Sequence, residues 1–322
     1  MNNTETRLAG RRRRLIALSI VLAYVLLAWC STVFALDPSL DINQYSHHAW
    51  TVRDGFFKGV VGSIAQTPDG YIWLGTTFGL VRFDGVKSVN WQPPQDQHLP
   101  SNGVMSLLAA RDGTLWIGTV NGLASLKNDK LTVYPETIAH FIFAIVEDPE
   151  GTVWVSALST TLGKLCAIRN GSMSCEGEGT IGRGAFNLYV DSKGTVWAGV
   201  KDGLWRWSPG PPQFYPLPGE PDGIQGLGEE QDGTLLVGWN GKLQRFREGK
   251  TDAYPLPGIT GPIQVKRIFR DHDGSLWLAT FTHGLLRLHL GRTDVFTQFD
   301  GLSGDFVDAL FEDREQHLGD DR

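Results

Sequence analysis

Beyond residue 35 the chain is nearly free of cysteine: of three in 322 residues, only Cys166 and Cys175 remain there. Long helical periodicity is also missing past the N-terminus, which points to one all-β domain despite a length that would allow two. Clustered basic stripes of the kind that bind a phosphate backbone do not occur outside residues 7–14, and nucleic acid is excluded as a partner on that ground. Catalytic signatures are lacking too. There is no Gly-x-Ser-x-Gly elbow, no His-Glu-x-x-His helix and no phosphate-cradling loop, so the chain reads as a non-enzyme without a cofactor. His47 and His48 are adjacent and would point to opposite faces of a strand, which rules out a shared metal. Asp271-His-Asp-Gly274 lacks the further spaced carboxylates and final Glu of a calcium loop and reads as a hairpin turn.

Glycine and tryptophan, by contrast, are plentiful, at 39 and 11 residues. They recur together. Asp69-Gly-Tyr-Ile-Trp-Leu-Gly-Thr-Thr-Phe-Gly-Leu80 is repeated almost residue for residue over Arg111 to Leu123, and four fainter copies follow. The leading glycines, Gly70, Gly113, Gly151, Gly194, Gly233 and Gly274, are spaced by 43, 38, 43, 39 and 41 residues, the interval of propeller blades. Each copy reads as four strands. An apolar run such as Val104 to Leu108 precedes an Asp-Gly-type turn, where glycine accepts a positive φ. A second strand apolar on both faces follows, then a second glycine turn, a third strand and a more polar fourth near Trp91 or Tyr134. This is one blade of a β-propeller. The recurrent Trp73, Trp116, Trp154, Trp197 and Trp277 serve as core, filling the wedge between blades; the fifth copy has Leu236 there.

Six copies are complete. Ala49 to Arg53 resembles a lone fourth strand and Phe306 to Phe311 a lone first strand, so the expected fold is six complete four-stranded blades plus an incomplete seventh, closed by both ends of the chain. The two ends should share that blade or face each other across an open seam. A blade without its middle strands leaves edges that invite pairing with another chain, a homodimer included.

The N-terminus reads as a targeting segment. Arg7 and Arg11 to Arg14 precede an apolar run of 21 residues from Leu15 to Ala35, which serves either as a cleaved signal or as an inner-membrane anchor. The expected domains are therefore 1–35, signal or anchor, and 36–322, propeller. Without the first segment 24 basic residues face 34 acidic ones, a net charge of −10, which favours solubility.

At Gly70 to Leu80 and Gly113 to Leu123 the Gly-x-x-Trp-x-Gly-Thr-x-x-Gly-Leu pattern resembles that of two-component regulator propellers. Trp50-Thr-Val-Arg-Asp-Gly-Phe56 resembles that family's entry segment. The resemblance implies the periplasmic sensor region of a membrane histidine kinase or related signalling protein. In such proteins a β-sandwich, a second span and an output domain usually follow; here the pattern breaks at Gln316-His-Leu-Gly, which reads as a truncated copy without the kinase. Streptogramin lyases are similar propellers, and that alternative would need a His and Glu pair with a divalent metal, for which His283 is the channel-side candidate. A scaffold propeller is the third reading.

Binding in such folds sits on loops. The turns after the second strands depart from plain turn chemistry at Phe78, Asn121, Asp202, Trp239, Asn240 and His283, with Asn102, Phe141 and Asn187 opposing them. Aromatic platforms beside amides suit a small polar ligand such as a saccharide. Finally, Asn170-Gly171 is a strong hairpin signal, and a two-residue turn there sets Cys166 opposite Cys175. In an oxidising compartment they would form a cross-strand disulfide.

Overall fold

The structure is a computed structural model that describes residues 44, 50, 52–53, 55–94, 96–177, 180–219, 223–314 and 318–320. The expected apolar helix over 15–35, the pair His47-His48 and residues 315–317 lie outside the described residues.

Blade one runs β1 (Val61–Gln66), β2 (Ile72–Thr76), β3 (Gly79–Phe83) and β4 (Ser88–Asn90). Blade two is β5 (Val104–Ala109), β6 (Leu115–Thr119), β7 (Gly122–Lys127) and β8 (Lys130–Tyr134). Blade three follows with β9 (Phe141–Glu147), β10 (Val153–Leu158), β11 (Lys164–Arg169) and β12 (Ser172–Glu176). In blade four these are β13 (Asn187–Val190), β14 (Val196–Gly199), β15 (Gly203–Ser208) and β16 (Gln213–Pro216). Blade five comprises β17 (Leu227–Glu229), β18 (Leu235–Trp239), β19 (Lys242–Arg247) and β20 (Lys250–Ala253). Blade six comprises β21 (Val265–Arg270), β22 (Leu276–Thr280), β23 (Leu285–His289) and β24 (Arg292–Phe296). Every blade is an antiparallel sheet in sequence order, so the fold is an all-β propeller of six four-stranded blades.

A short hairpin of β25 (Leu310–Glu312) and β26 (Leu318–Asp320) comes after blade six, and β25 lies against both β21 and β1. Two expectations need correction here. Residues 306–309 are not strand, so β25 starts at Leu310, and Val52 and Arg53 sit in a turn instead of a strand. Trp50 nonetheless packs on blade one, with its ring 5.1 Å from Phe83 and 5.6 Å from Phe56. Together with Phe57 these aromatics cover the blade-one face made by Leu74 and Val81.

The recurrent tryptophans hold blade to blade. Trp73 clusters with Val104 and Leu115 of blade two, Trp116 with Ile142 and Val153 of blade three, and Trp154 with Leu188 and Val196 of blade four. Burying such a ring removes about 150 to 250 Å² from water, so truncation to Ala should cost about 3 to 5 kcal/mol. The glycine two places on allows the close approach: a Cβ at Gly118 would stand 2.6 Å from the Ile142 Cγ2 of the next blade.

A second repeat unit is polar. Six residues before the Trp, an acidic side chain joins turn to ring. Asp148 accepts from the Thr152 amide at 2.8 Å and from Trp154 Nε1 at 2.7 Å. Asp191 and Asp271 do the same for Trp197 at 2.9 Å and Trp277 at 2.7 Å. In blade one, Thr67 Oγ1 takes the Trp73 N–H at 2.9 Å. Blade five has no ring at Leu236, and its acid, Glu230, pairs instead with Arg245 at 2.6 Å.

Candidate functional site

In an antiparallel blade the start of the first strand lies beside the end of the second, as Asn187 beside Gly199 shows. All the turns after second strands therefore gather at one end of the sheets, with the segments that enter the first strands. Phe78, Asn121, Asp202, Asn240 and His283 all occupy these turns.

Their individual roles differ. Phe78 is 70% exposed; its amide donates to Thr76 Oγ1, which closes the turn by donating to the Gly79 carbonyl. Asn121 staples loops: its Nδ2 donates to Pro100 O at 3.4 Å and its Oδ1 accepts from the Ala139 amide at 3.2 Å. Asn240 sits at φ 52° ahead of Gly241, the left-handed geometry asparagine tolerates. Asp202 is exposed. His283 is half-buried, with Nδ1 3.0 Å from Thr282 Oγ1. Asn102 and Phe141 are exposed, and Asn187 Nδ2 donates to the Gln225 carbonyl of the next blade.

Trp239 differs most from its expected place. It is 2% exposed, packs with Leu204 and Ile224, and donates from Nε1 to Pro218 O at 2.9 Å. It occupies the position held by Thr76, Thr119 and Thr280 in other blades, so a ring stands where a turn-closing hydroxyl usually does. One side of Trp239 still lines a pocket of about 230 Å³, with Gln225, Ile263, Gln264 and Phe281. A second cavity of about 150 Å³ lies among the first strands and is lined by Ser63, Met105, Phe143, Asn187 and Arg267.

Sequence reasoning missed the bulges that furnish these walls. The register slips at Gly62, Met105 and Lys266, and Phe143 is skipped likewise in blade three. A bulge re-aims a side chain; Gly62, Met105 and Phe143 line the inner cavity. Lys266 Nζ instead lies 4.6 Å from the Phe306 ring centre and 5.4 Å from that of Phe281, and it pairs with Asp308. One signal for Phe281 was legible. Thr280-Phe-Thr-His-Gly284 is one residue longer than Thr119-Val-Asn-Gly122.

Among the described residues no group of three or more His, Cys, Asp or Glu side chains is placed to hold a metal. No described helix is long and apolar enough to cross a membrane. Cys166 lies opposite Cys175 in the β11–β12 register, with the sulfurs 2.05 Å apart.

Comparison with known proteins adds the ancestry. The two component regulator propeller model matches residues 55–78 and 98–121. No curated protein matches the chain. Among solved structures, the extracellular domain of a putative one component system from B. thetaiotaomicron is similar at 18% identity and a TM-score of 0.67, covering 81% of this chain and 37% of that one. The extracellular domain of a putative hybrid two component system from B. thetaiotaomicron is similar at 18% identity and a TM-score of 0.65, covering 81% of this chain and 38% of that one. A catalytically inactive virginiamycin B lyase from Staphylococcus aureus, solved with quinupristin, is similar at 15% identity and a TM-score of 0.65, covering 82% of this chain and 94% of that one. At these identities the likeness is one of fold, and the chain spans little more than a third of the length of the two signalling domains. The two segments that match the two component regulator propeller model fall in blades one and two, and the chain is similar to that family there.

Proposed function

We propose that the propeller is the ligand-sensing, input side of a periplasmic two-component receptor, and that it takes a small polar ligand such as a saccharide on the end of the sheets that carries Phe78, Asn121 and Phe281. The observation that carries this reading is the pair of regulator propeller repeats in the first two blades. The fold likeness to extracellular domains of signalling systems supports it. Residues 15–35 then deliver the propeller across the inner membrane, as signal or anchor.

The finer architecture in this proposal is a seventh blade begun by β25. Its contacts support it. Across blades two and three, the Arg111 amide donates to Glu147 at 2.8 Å and its guanidinium to Pro149 O at 3.2 Å. Across the hairpin and blade one, the Arg314 amide donates to Gln66 Oε1 at 2.9 Å and its guanidinium to Pro68 O at 3.0 Å. The same clasp recurs, so β25 behaves as a first strand toward β1.

The second reading, a lyase-like enzyme, is favoured by the fold likeness to virginiamycin B lyase. It would place His283 on a divalent metal. Melting of residues 36–322 in the presence of soluble saccharides, and separately of divalent metals, discriminates the two. Sensing predicts a rise in Tm with a saccharide in chelator-treated buffer. A rise with metal alone, and none with any saccharide, would favour the enzyme.

A further inference from the structure

The largest cleft among those described, about 930 Å³, is not at the loop end discussed above; it lies between blades two and three, among the turns after first and third strands. Its walls include Ala110, Trp116, Ser125, Tyr134, Val153 and Ile168.

The repeats explain why it is there. Opposite the ring position in the third strand stand Arg82, Arg206, Arg245 and Arg287 in blades one, four, five and six. Arg287 is fully buried, 5.5 Å from the Trp277 ring centre. Six residues before the ring position, blades three to six place Asp148, Asp191, Glu230 and Asp271, and blade one places Thr67. Blade two has neither. Ser125 faces Trp116 across the strands, and Ala110 holds the acidic position. Blades four to six carry both the Arg and the acid, blades one and three carry one of the two, and blade two has short side chains at both positions, which leaves the cleft.

The substitution also leaves a polar group without its acceptor. Trp116 is 6% exposed, and its Nε1 has no hydrogen-bond partner, whereas four equivalent indoles each have one. A buried donor left unsatisfied is costly. Both Trp116 and Ala110 line the cleft, so the place that a carboxylate fills in three sister blades adjoins it.

The surroundings suit an acid that also carries hydroxyls. Tyr134 lies with its ring 5.3 Å from that of Trp116, and its hydroxyl is 3.2 Å from Ser125 Oγ. At the rim, Arg111 pairs with Glu147 and Lys127 with Asp112, so four of the charges are neutralised within the protein.

We infer that this cleft is a binding site for a small carboxylate, a sugar acid by the character of its walls, whose carboxylate accepts the Trp116 N–H that Ala110 leaves unpaired. The site is separate from the loop end assigned to sensing, and its failure would leave that reading untouched.

Galacturonate and galactose share a ring and differ in the carboxylate, so they serve as probes. With the exported chain, saturating galacturonate should raise Tm by about 2 °C or more and change Trp fluorescence, while galactose does neither. Ala110→Asp supplies the carboxylate from the protein; it should melt higher than the parent and lose the response to galacturonate. Trp116→Phe removes the donor and keeps the ring, and it too should lose the response. Equal shifts with both sugars, no shift with either, or a full galacturonate response in folded Ala110→Asp or Trp116→Phe would overturn the proposal.

Discussion

Arg314 donates from its guanidinium to the backbone carbonyl of Pro68 at 3.0 Å, which joins the segment after blade six to blade one. Because both partners are exposed, the bond adds little global stability. Its effect should be local. Arg314→Ala should leave Tm within about 2 °C, while the amides of β25 and of Gln66 and Thr67 exchange hydrogen faster than in the parent. Unchanged exchange there would show that the clasp does not hold the seam.

Asp148 ties the turn before β10 to Trp154, with two bonds under 3 Å and 4% of the residue exposed. Asp148→Ala strands a buried amide and a buried indole N–H, and should cost about 2 to 4 kcal/mol. Denaturant unfolding measures it. A loss below about 1 kcal/mol would mean that water or relaxation replaces the carboxylate.

The Cys166–Cys175 pairing lies in the blade two to three interface, where Cys166 is fully buried. Closing a loop over a sequence separation of 9 should contribute roughly 2.5 to 3 kcal/mol on the chain-entropy model. Protein folded under oxidising conditions should resist thiol alkylation until reduced and should melt lower afterwards. Labelling of both cysteines without reduction would refute the bridge.

His272 joins blade six to the hairpin. Its Nδ1 lies 2.6 Å from Glu312 Oε1, and that hydrogen bond, aided by Asp273, raises its pKa above 6.5. A raised folded pKa means that the pair stabilises fully below the unfolded value and loses its contribution as pH rises through the folded one. Relative to His272→Gln, the parent's stability advantage should be largest near pH 5 to 6 and shrink toward alkaline pH. A flat difference across that range would contradict the coupling.

The blades were legible because glycine and tryptophan do the same steric job in most copies. Gly118 must admit Ile142, and Trp116 must fill the wedge beside it. Bulges were not legible. A slip at Met105 or Lys266 follows from how two strands fit the ring, and no turn residue announces it. Trp239 misled for a related reason. Its place at the end of β18 suggested a turn, yet the strand continues through it and the ring turns inward against Ile224. Phe281 was missed although the extra residue in its turn marked it. The hairpin register at Asn170-Gly171 followed directly from turn length, as the pairing of Ile168 with Met173 shows.

Ligand sensing on the loop end is the central claim, and calorimetric titration of residues 36–322 tests it most directly. A soluble saccharide that raises Tm in chelator-treated buffer should bind the parent with one-to-one stoichiometry. Phe281→Ala, which removes an aromatic wall of the pocket beside Trp239, should weaken that binding about tenfold, or about 1.4 kcal/mol. If no saccharide binds, or if Phe281→Ala binds as tightly as the parent, the propeller does not sense such a ligand at that end.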